Sequence, residues 1–585
     1  MALINKLLGL PEILQDPVAR ELVFVLTGPT GKSSAGYPYL GAPAWRRFRD
    51  WVPHILDDGM RVLDASERIL DVIREEASPA ELASAESARD VIRQVVLTAA
   101  ITAPPDLYVL RWVIAGLQKT GVAAMLLDGQ EVIPDSCGDL LGPELAVDLR
   151  FLVSRGYLAR TPNGFRLLEH ETARRILQLP PPESDPGPGA ARDWMNLINE
   201  DSEESAQRLR KIVVPEKDER EAGEWPATAS DCLLAAQLVP LVLGMRAAGV
   251  IPSIEDSGRL DPKMFGNCGE VALSIFRSAG LCAEDGSLNV IGHRVLSRGI
   301  GPFGIIAAYH PYLAQLPKIF REGRGAVHVQ RDTNIAASQD ANARTFSRAN
   351  EALDRFCRDH NFNFEVFIEH AMGRGEAIRQ RYSIDGSRRR YVGADLEDAA
   401  IDAAELERDA GRLPSDILLI RNADIGKPSI LLEGMRKASL SPRAAVMIVG
   451  NGFHEVREQT DEFMTAILKE YCEAGILLLF TEESALSADD LLETAWNTYH
   501  AGFKYVHERS GQGLRPASPG PAQPLEGRPP ASWTECAHQA GYVEARQYKT
   551  RGRTVYPYTP PSGHNPAISV NHFFVPASLA KELNL

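Results

Sequence analysis

From residue 365 onward, short apolar runs alternate with stretches of helical periodicity. This constrains the fold more than any other feature of the chain, because a strand–helix–strand repeat closes as a mostly parallel sheet with helices on both faces. The first repeat reads Glu365-Val-Phe-Ile-Glu-His-Ala-Met-Gly-Arg-Gly-Glu-Ala377: an apolar run, an acid, two glycines one apart and a helix-forming tail. A Gly turn of this kind lets a cofactor approach bare backbone, and the helix behind it is expected to add unpaired N–H donors.

In such sheets ligands bind outside the carboxyl ends of the strands, so the polar residue closing each run is the informative one. The first run closes on Glu369, with Gly373 and Gly375 in the turn. The second, Tyr391–Leu396, carries Asp395, 20 residues after Gly375. That spacing suits a carboxylate accepting hydrogen bonds from ribose hydroxyls. The third run, Asp416–Ile425, carries Asp424, and the fourth, Ala444–Glu455, carries Gly452 and His454. A helix over Thr460–Tyr471 leads to a fifth run, Ile476–Glu483. A helix over Trp533–Ala540 and two further strands, Gly541–Tyr548 and Ile568–Pro576, close the series.

This series resembles the class I S-adenosylmethionine-dependent methyltransferases over about residues 330–580. The resemblance implies an α/β fold, a Rossmann-like doubly wound sheet over 361–585, with S-adenosyl-L-methionine as cofactor. It places Glu369 near the amino end of the methionine, Gly373 and Gly375 along its path, Asp395 on the ribose and Asp424 at the adenine amine, and it counts Gly452 with the cofactor residues. Two positions depart from the family pattern. Ala371 stands where the first Gly of Glu-x-Gly-x-Gly-x-Gly is expected, and Ala474-Gly475 replaces a Gly pair before the fifth run. A dinucleotide site fits less well, because the turn is not Gly-x-Gly-x-x-Gly.

Methyl transfer is an in-line displacement, to which an enzyme contributes proximity and often a base. His454 is the leading base candidate, because it follows the fourth strand at the ligand edge; a histidine that merely orients the loop is the other reading of it. A second cluster, Trp496–Gln512, holds His500 and His507, seven apart and so on one face of a continuous helix. Around Gly452-Phe-His-Glu-Val-Arg457 the chain is similar to a subgroup of polyketide-synthase methyltransferase domains that hold one metal ion beside the methyl donor. That resemblance implies His454 and Gln459 as ligands, with Asp424 or His500 as a third. The ion would be iron or manganese, acting as a Lewis acid in C-methylation.

The rest of the chain reads as helical over residues 1–130, with breakers at Gly28-Pro29, Pro38 and Pro104-Pro105. Glu21–Leu26 looks like a strand, and Thr27–Ser33 behind it looks like a phosphate loop. Leu26 occupies the position where that motif requires Gly, so an ATPase is not expected. Residues 131–300 read as a scaffold, dimerisation or lid region. Two helix-plus-hairpin stretches there, within 144–178 and 269–291, look like the tails of winged helices, and a Pro/Gly linker at 179–189 lies between them. Residues 301–360 read as connecting helices. Tyr309 and His310 on them are candidates to line an acceptor pocket or to pack.

A net charge of −15 argues against a general nucleic-acid surface. Seven scattered cysteines, no signal peptide and no apolar run long enough to span a bilayer point to the cytoplasm. The expected function is methyl transfer to a small-molecule or acyl-carrier-bound biosynthetic intermediate, metal-assisted C-methylation being the finer expectation, with no nucleic acid and no membrane as partner and a homodimer compatible with it. The alternative is a winged-helix regulator using a degenerate methyltransferase domain as a ligand sensor.

Overall fold

The computed structural model describes residues 2–32, 38–51, 55–182, 189–218, 226–327, 332–457, 459–485, 500–517, 530–554 and 567–585. The chain divides into two compact units. One holds Met1–His328 with Ala488–Val506 and Val555–Asn565, and the other holds Val329–Ser487, His507–Thr554 and Pro566–Leu585.

The first unit is mainly helical. Glu21–Leu26 is not a strand but the end of a helix, Pro17–Leu26. Asp16 caps it by accepting from the Val18 N–H at 2.9 Å, Pro17 pre-sets its first turn, and Val18, Leu22, Val25 and Leu26 are buried at helical spacing. Two short strands, β1 (Thr30–Lys32) and β2 (Pro38–Leu40), pair antiparallel behind it; Ser33, the last residue of the phosphate-loop lookalike, lies outside the described residues. The prolines at 104 and 105 do not break their helix, which runs from Pro79 to Lys119. Each proline removes one i→i−4 bond, but the stretch from Leu107 to Leu117 is buried almost throughout, and tertiary packing outweighs local propensity.

The first helix-plus-hairpin forms as read. Helix Gly142–Ser154 leads to β3 (Leu158–Arg160) and β4 (Phe165–Leu167), which pair antiparallel around the Thr161–Gly164 turn. The second does not. After helix Gly269–Ser278 the return is a single bridge, Cys282 to Leu288, because Asn289 caps a new helix, Val290–Arg294. The connection around residue 309 breaks into Ile300–Ala308, His310–Leu313 and Leu316–Glu322, all within this unit. Among the described residues one helix, Ala229–Ala247, is by length and composition apolar enough to cross a bilayer, contrary to expectation, and 78% of its apolar window is buried inside the fold.

The second unit is built on a mostly parallel sheet. Its strands are β5 (Val366–His370), β6 (Arg390–Ala394), β7 (Leu418–Ile420), β8 (Val446–Gly450), β9 (Leu477–Glu483), β10 (Tyr542–Glu544), β11 (Thr550–Thr554) and β12 (Ala567–Pro576). They lie in the order β10-β12-β9-β8-β5-β6-β7, with β11 also on β12. The five from β7 to β9 are parallel, and β12 runs antiparallel to its neighbours. This fits the α/β class I fold that the resemblance implies. Apolar clusters cover both faces: Ile368, Val392, Met447 and Phe480 belong to one, Phe367, Tyr391, Ile448 and Leu479 to the other. β11 was not expected, and β7 is shorter than its apolar run because Asn422, at φ 52°, turns the chain out of the sheet before Asp424.

Candidate functional site

The carboxyl ends of β5, β6, β7, β8 and β9 bring together the acids and glycines read from the sequence. At the end of β5 the backbone turns sharply through Ala371, Gly373 and Gly375, all at positive φ. Gly375 opens helix Glu376–Asp385 at φ 82°, and a Cβ there would meet Leu413 at 3.0 Å and Met372 at 3.1 Å. Ala371, standing where the resemblance wants Gly, adopts φ 54°, a conformation that costs a residue with a Cβ about 1–2 kcal/mol.

The turn's donors are not left open, and this corrects the expected set of free N–H groups. Glu369 is buried, and its two carboxylate oxygens accept from Ala377 N–H at 3.2 Å and Ile378 N–H at 2.8 Å. It caps from below a helix whose own N-cap, Gly375, has no side chain. Glu369 is thus committed to the helix rather than to a ligand's ammonium. Burial, opposed by those two backbone donors, pushes its carboxyl up to about 8. Asp395, just past β6, takes the Gly373 N–H on one oxygen at 2.9 Å and the Glu397 N–H on the other at 3.0 Å, and burial raises its pKa. It ties the turn after β5 to the loop after β6. Asp424 lies in the loop after β7, a third exposed, holding the Gly426 N–H at 2.9 Å with Lys427 Nζ at 3.4 Å.

The loop after β8 closes on this turn. A Cβ at Gly452 would lie 2.8 Å from Val449 and 3.1 Å from the Cβ of Ala371, so only glycine lets the two backbones approach this far. Two residues on, His454 is buried in a short 3₁₀ turn, Phe453–Glu455. Its Nδ1 is 2.7 Å from Oε2 of Glu482, and its Nε2 is 3.5 Å from Oε1 of Glu455. Glu482, fully buried near the end of β9, also accepts from the Phe453 N–H at 2.6 Å. Burial pushes its carboxyl up to about 8 against the backbone donors of Phe453, His454 and Gly452.

Glu482 is the residue that sequence reasoning missed. The signal was present in the acidic pair that ends the apolar fifth run, Thr481-Glu-Glu483. Register decides which acid matters: Glu482 faces the sheet side of Phe480, whose ring contacts Phe453 at 5.2 Å.

Gln459 has a different role from the metal ligation expected of it. Its amide donates to the Phe453 carbonyl at 2.9 Å and the Gly513 carbonyl at 3.4 Å, and its oxygen accepts from Arg515 Nε at 3.0 Å. Gly513 N–H returns to the His454 carbonyl at 3.1 Å, so Gln459 pins the His454 loop to residues 513–515 and its donor atoms are occupied. Among the described residues no group of three or more His, Cys, Asp or Glu side chains is arranged to hold a metal ion. His507 packs its ring 4.9 Å from that of His454; the side chain of His500 and the whole of Trp496–Tyr499 lie outside the described residues. His310 belongs to the other unit, where its Nδ1 meets Tyr108 Oη at 2.9 Å, its ring stands on Trp112 at 4.5 Å, and burial lowers its pKa to about 4. Tyr309 is buried beside it.

The set has a consistent electrostatic character. A turn built for phosphate presents open N–H groups. Here Glu369 and Asp395 occupy those donors with buried carboxyl groups, which closes them to a phosphate. A buried imidazole held by a carboxylate beside that turn can take a proton from a reacting group.

No protein-family model matches the chain, and no curated protein matches it. Among solved structures it is similar to the CurJ carbon methyltransferase, at 9% identity and TM-score 0.37 over 90% of this chain and 100% of that one. It is also similar to an O-methyltransferase family 2 protein from Planctomyces limnophilus, at 11% identity and TM-score 0.29 over 81% and 96%. A third is an O-methyltransferase family protein from Burkholderia thailandensis, at 14% identity and TM-score 0.31 over 58% and 97%. Likenesses this weak carry no argument about this chain, whose own geometry has to decide.

Proposed function

We propose that the second unit is an S-adenosylmethionine-dependent methyltransferase in which His454, held by Glu482, is the general base for the acceptor. The observation that carries this is the His454–Glu482 pair two residues from Gly452, where the β8 loop packs on a β5 turn whose N–H donors are filled by carboxyl groups. The residues fit the cofactor in kind: a tight glycine turn at the carboxyl edge of the sheet, with acids at the ends of the neighbouring strands.

Asp395 would hold the ribose hydroxyls, Asp424 at the rim would meet the adenine amine, and Gly373, Gly375 and Gly452 would let the ligand lie against backbone. When bound, the cofactor supplies an electrophilic methyl group. Glu482 accepts a hydrogen bond from the Nδ1–H of His454 and so orients the ring, whose Nε2, 3.5 Å from Glu455, would receive the proton of the acceptor. The positive charge that then forms on the imidazole is stabilised by Glu482 without solvent reorganisation, because both groups are buried. The acceptor we propose is a small-molecule or carrier-bound biosynthetic intermediate with an ionisable proton.

The test is isothermal titration with S-adenosylmethionine and its demethylated product, followed by mass spectrometry of acceptors incubated with labelled methyl donor. Micromolar binding and label transfer that disappears in His454→Ala support the reading. Absence of binding, or transfer that survives the substitution unchanged, would sink it.

A further inference from the structure

A buried guanidinium stands behind the loop that carries the proposed base. Arg515 is buried, and each of its three nitrogens donates to a group of the second unit. Nε reaches Oε1 of Gln459 at 3.0 Å. Nη1 reaches Oδ1 of Asp461 at 2.5 Å and the Ala531 carbonyl at 2.9 Å, and Nη2 reaches the Thr460 carbonyl at 3.0 Å. The backbone around it is fastened as well. Arg515 bridges Ser484, just past β9, with the Ala485 N–H donating to the Arg515 carbonyl at 3.0 Å, and Gln512 bridges Arg457. The segment 512–515 is thus tied both to the end of β9 and to the chain that follows His454.

The bond to Gln459 decides which way that amide faces. A carboxamide accepts on one side and donates on the other. Arg515 offers only donors, so it takes the oxygen and turns the amide nitrogen toward the carbonyls of Phe453, at 2.9 Å, and Gly513, at 3.4 Å. Phe453 opens the 3₁₀ turn Phe453–Glu455 that holds His454, and the Gly513 N–H donates to the His454 carbonyl at 3.1 Å. Reversed, the amide would set its oxygen against the Phe453 carbonyl, and two acceptors would face each other. Lysine does not replace arginine here, because an ammonium lacks the flat fork that reaches Gln459, Asp461 and two carbonyls together.

We infer that Arg515 is a positioning residue for His454: through Gln459 it fixes the turn Phe453–Glu455 and so holds the imidazole against Glu482. Its effect on turnover rests on the general-base reading of His454; the placing of the ring does not.

The experiment compares Arg515→Lys, Gln459→Glu and Asp461→Asn with the wild type. It is read by kcat and KM for S-adenosylmethionine, by melting temperature, and by the low-field proton resonance of His454 Nδ1–H. Gln459→Glu still accepts from Arg515 but no longer donates to Phe453, whereas Asp461→Asn weakens the ion pair of the guanidinium and leaves the path through Gln459 intact. We expect kcat to fall at least about tenfold in Arg515→Lys and Gln459→Glu, with KM little altered and the His454 resonance displaced in both. The variant carrying both substitutions should lose no more than the worse single one, since both cut one path. Asp461→Asn should lower the melting temperature and leave kcat and the resonance in place. Wild-type kcat and resonance in Gln459→Glu, additive losses, or the same losses in Asp461→Asn would overturn the inference. If Arg515→Lys fails to fold, Gln459→Glu and Asp461→Asn decide by themselves. If the wild type transfers no methyl group, the general-base reading fails, and the His454 resonance in the same variants still judges the positioning.

Discussion

His454 and Glu482, 28 positions apart in the chain, meet at 2.7 Å across the ends of two adjacent parallel strands. The strand spacing fixes their separation and the pleat fixes which of two neighbouring acids faces the imidazole. In the reaction proposed, this holds the base, in the short turn after β8, against an orienting group carried on β9.

Replacing Glu482 by Gln removes the charge that stabilises the imidazolium and leaves the shape nearly unchanged. We expect kcat to fall by about 10²–10³ with KM little altered, the range typical for general acid–base groups. His454→Ala should cost at least as much, and the double variant no more than the worse single one, since the two act as a unit. Steady-state kinetics of the three proteins check this.

The pH profile follows from the same pair. A base works deprotonated, and burial pushes Glu482 up to about 8, so the buried pair retains its second proton to higher pH than an exposed histidine would. Activity should rise with pH through about 8 and be lost below it. In Glu482→Gln that limb should move toward an ordinary imidazole value. A flat profile between pH 6.5 and 9, a window of about two and a half units around the shifted value, would remove the general-base assignment.

Gly452→Ala places a methyl 2.8 Å from Val449 and 3.1 Å from Ala371. Overpacking of this kind costs about 1–3 kcal/mol. The expected outcome is a lower melting temperature together with weaker cofactor binding, because the turn and the loop are forced apart. Pairing it with Ala371→Gly should recover part of the stability.

Glu369 makes a prediction about stability. Burial pushes its carboxyl up to about 8 in the folded chain from an ordinary value of 4.5. Between those values the folded state keeps a proton that the unfolded state has released, so stability from this group falls as pH rises through that window. Glu369→Gln should flatten that part of the melting-temperature profile. Glu369→Ala, which strands the N–H groups of Ala377 and Ile378, should cost about 1–3 kcal/mol at all pH values.

The strand ends were legible because these strands are buried on both faces, so each continuous apolar run stops where a polar residue meets solvent or ligand. Asp395 and Asp424 were found that way. What the linear pattern did not carry was the pairing of distant residues. Glu369 was read as a ligand contact, yet its carboxyl is engaged by two backbone N–H groups of the following helix that only the folded turn brings within reach. Gln459 resembled a ligand because its neighbours did, while its partner Arg515 lies 56 positions away. The misread helices have local causes. Pro104 and Pro105 break an isolated helix but not one buried along its length, and the strand-favouring Val23-Phe24-Val25 is overruled by the cap at Asp16.

The sheet order has a consequence for synthesis of the chain. β12 lies between β9 and β10 and pairs Val570 with Glu482, so the wall beside the Glu482 carboxylate is the last of the described strands of this sheet to leave the ribosome. Until residues 567–576 emerge, β9 is an open edge carrying a buried-type glutamate in water. A nascent chain in that state holds an acid of ordinary strength and an exposed strand ready to pair with another chain. The buried surroundings of the His454–Glu482 pair form only after that segment emerges, and any chaperone demand of this unit should fall in the interval before it does.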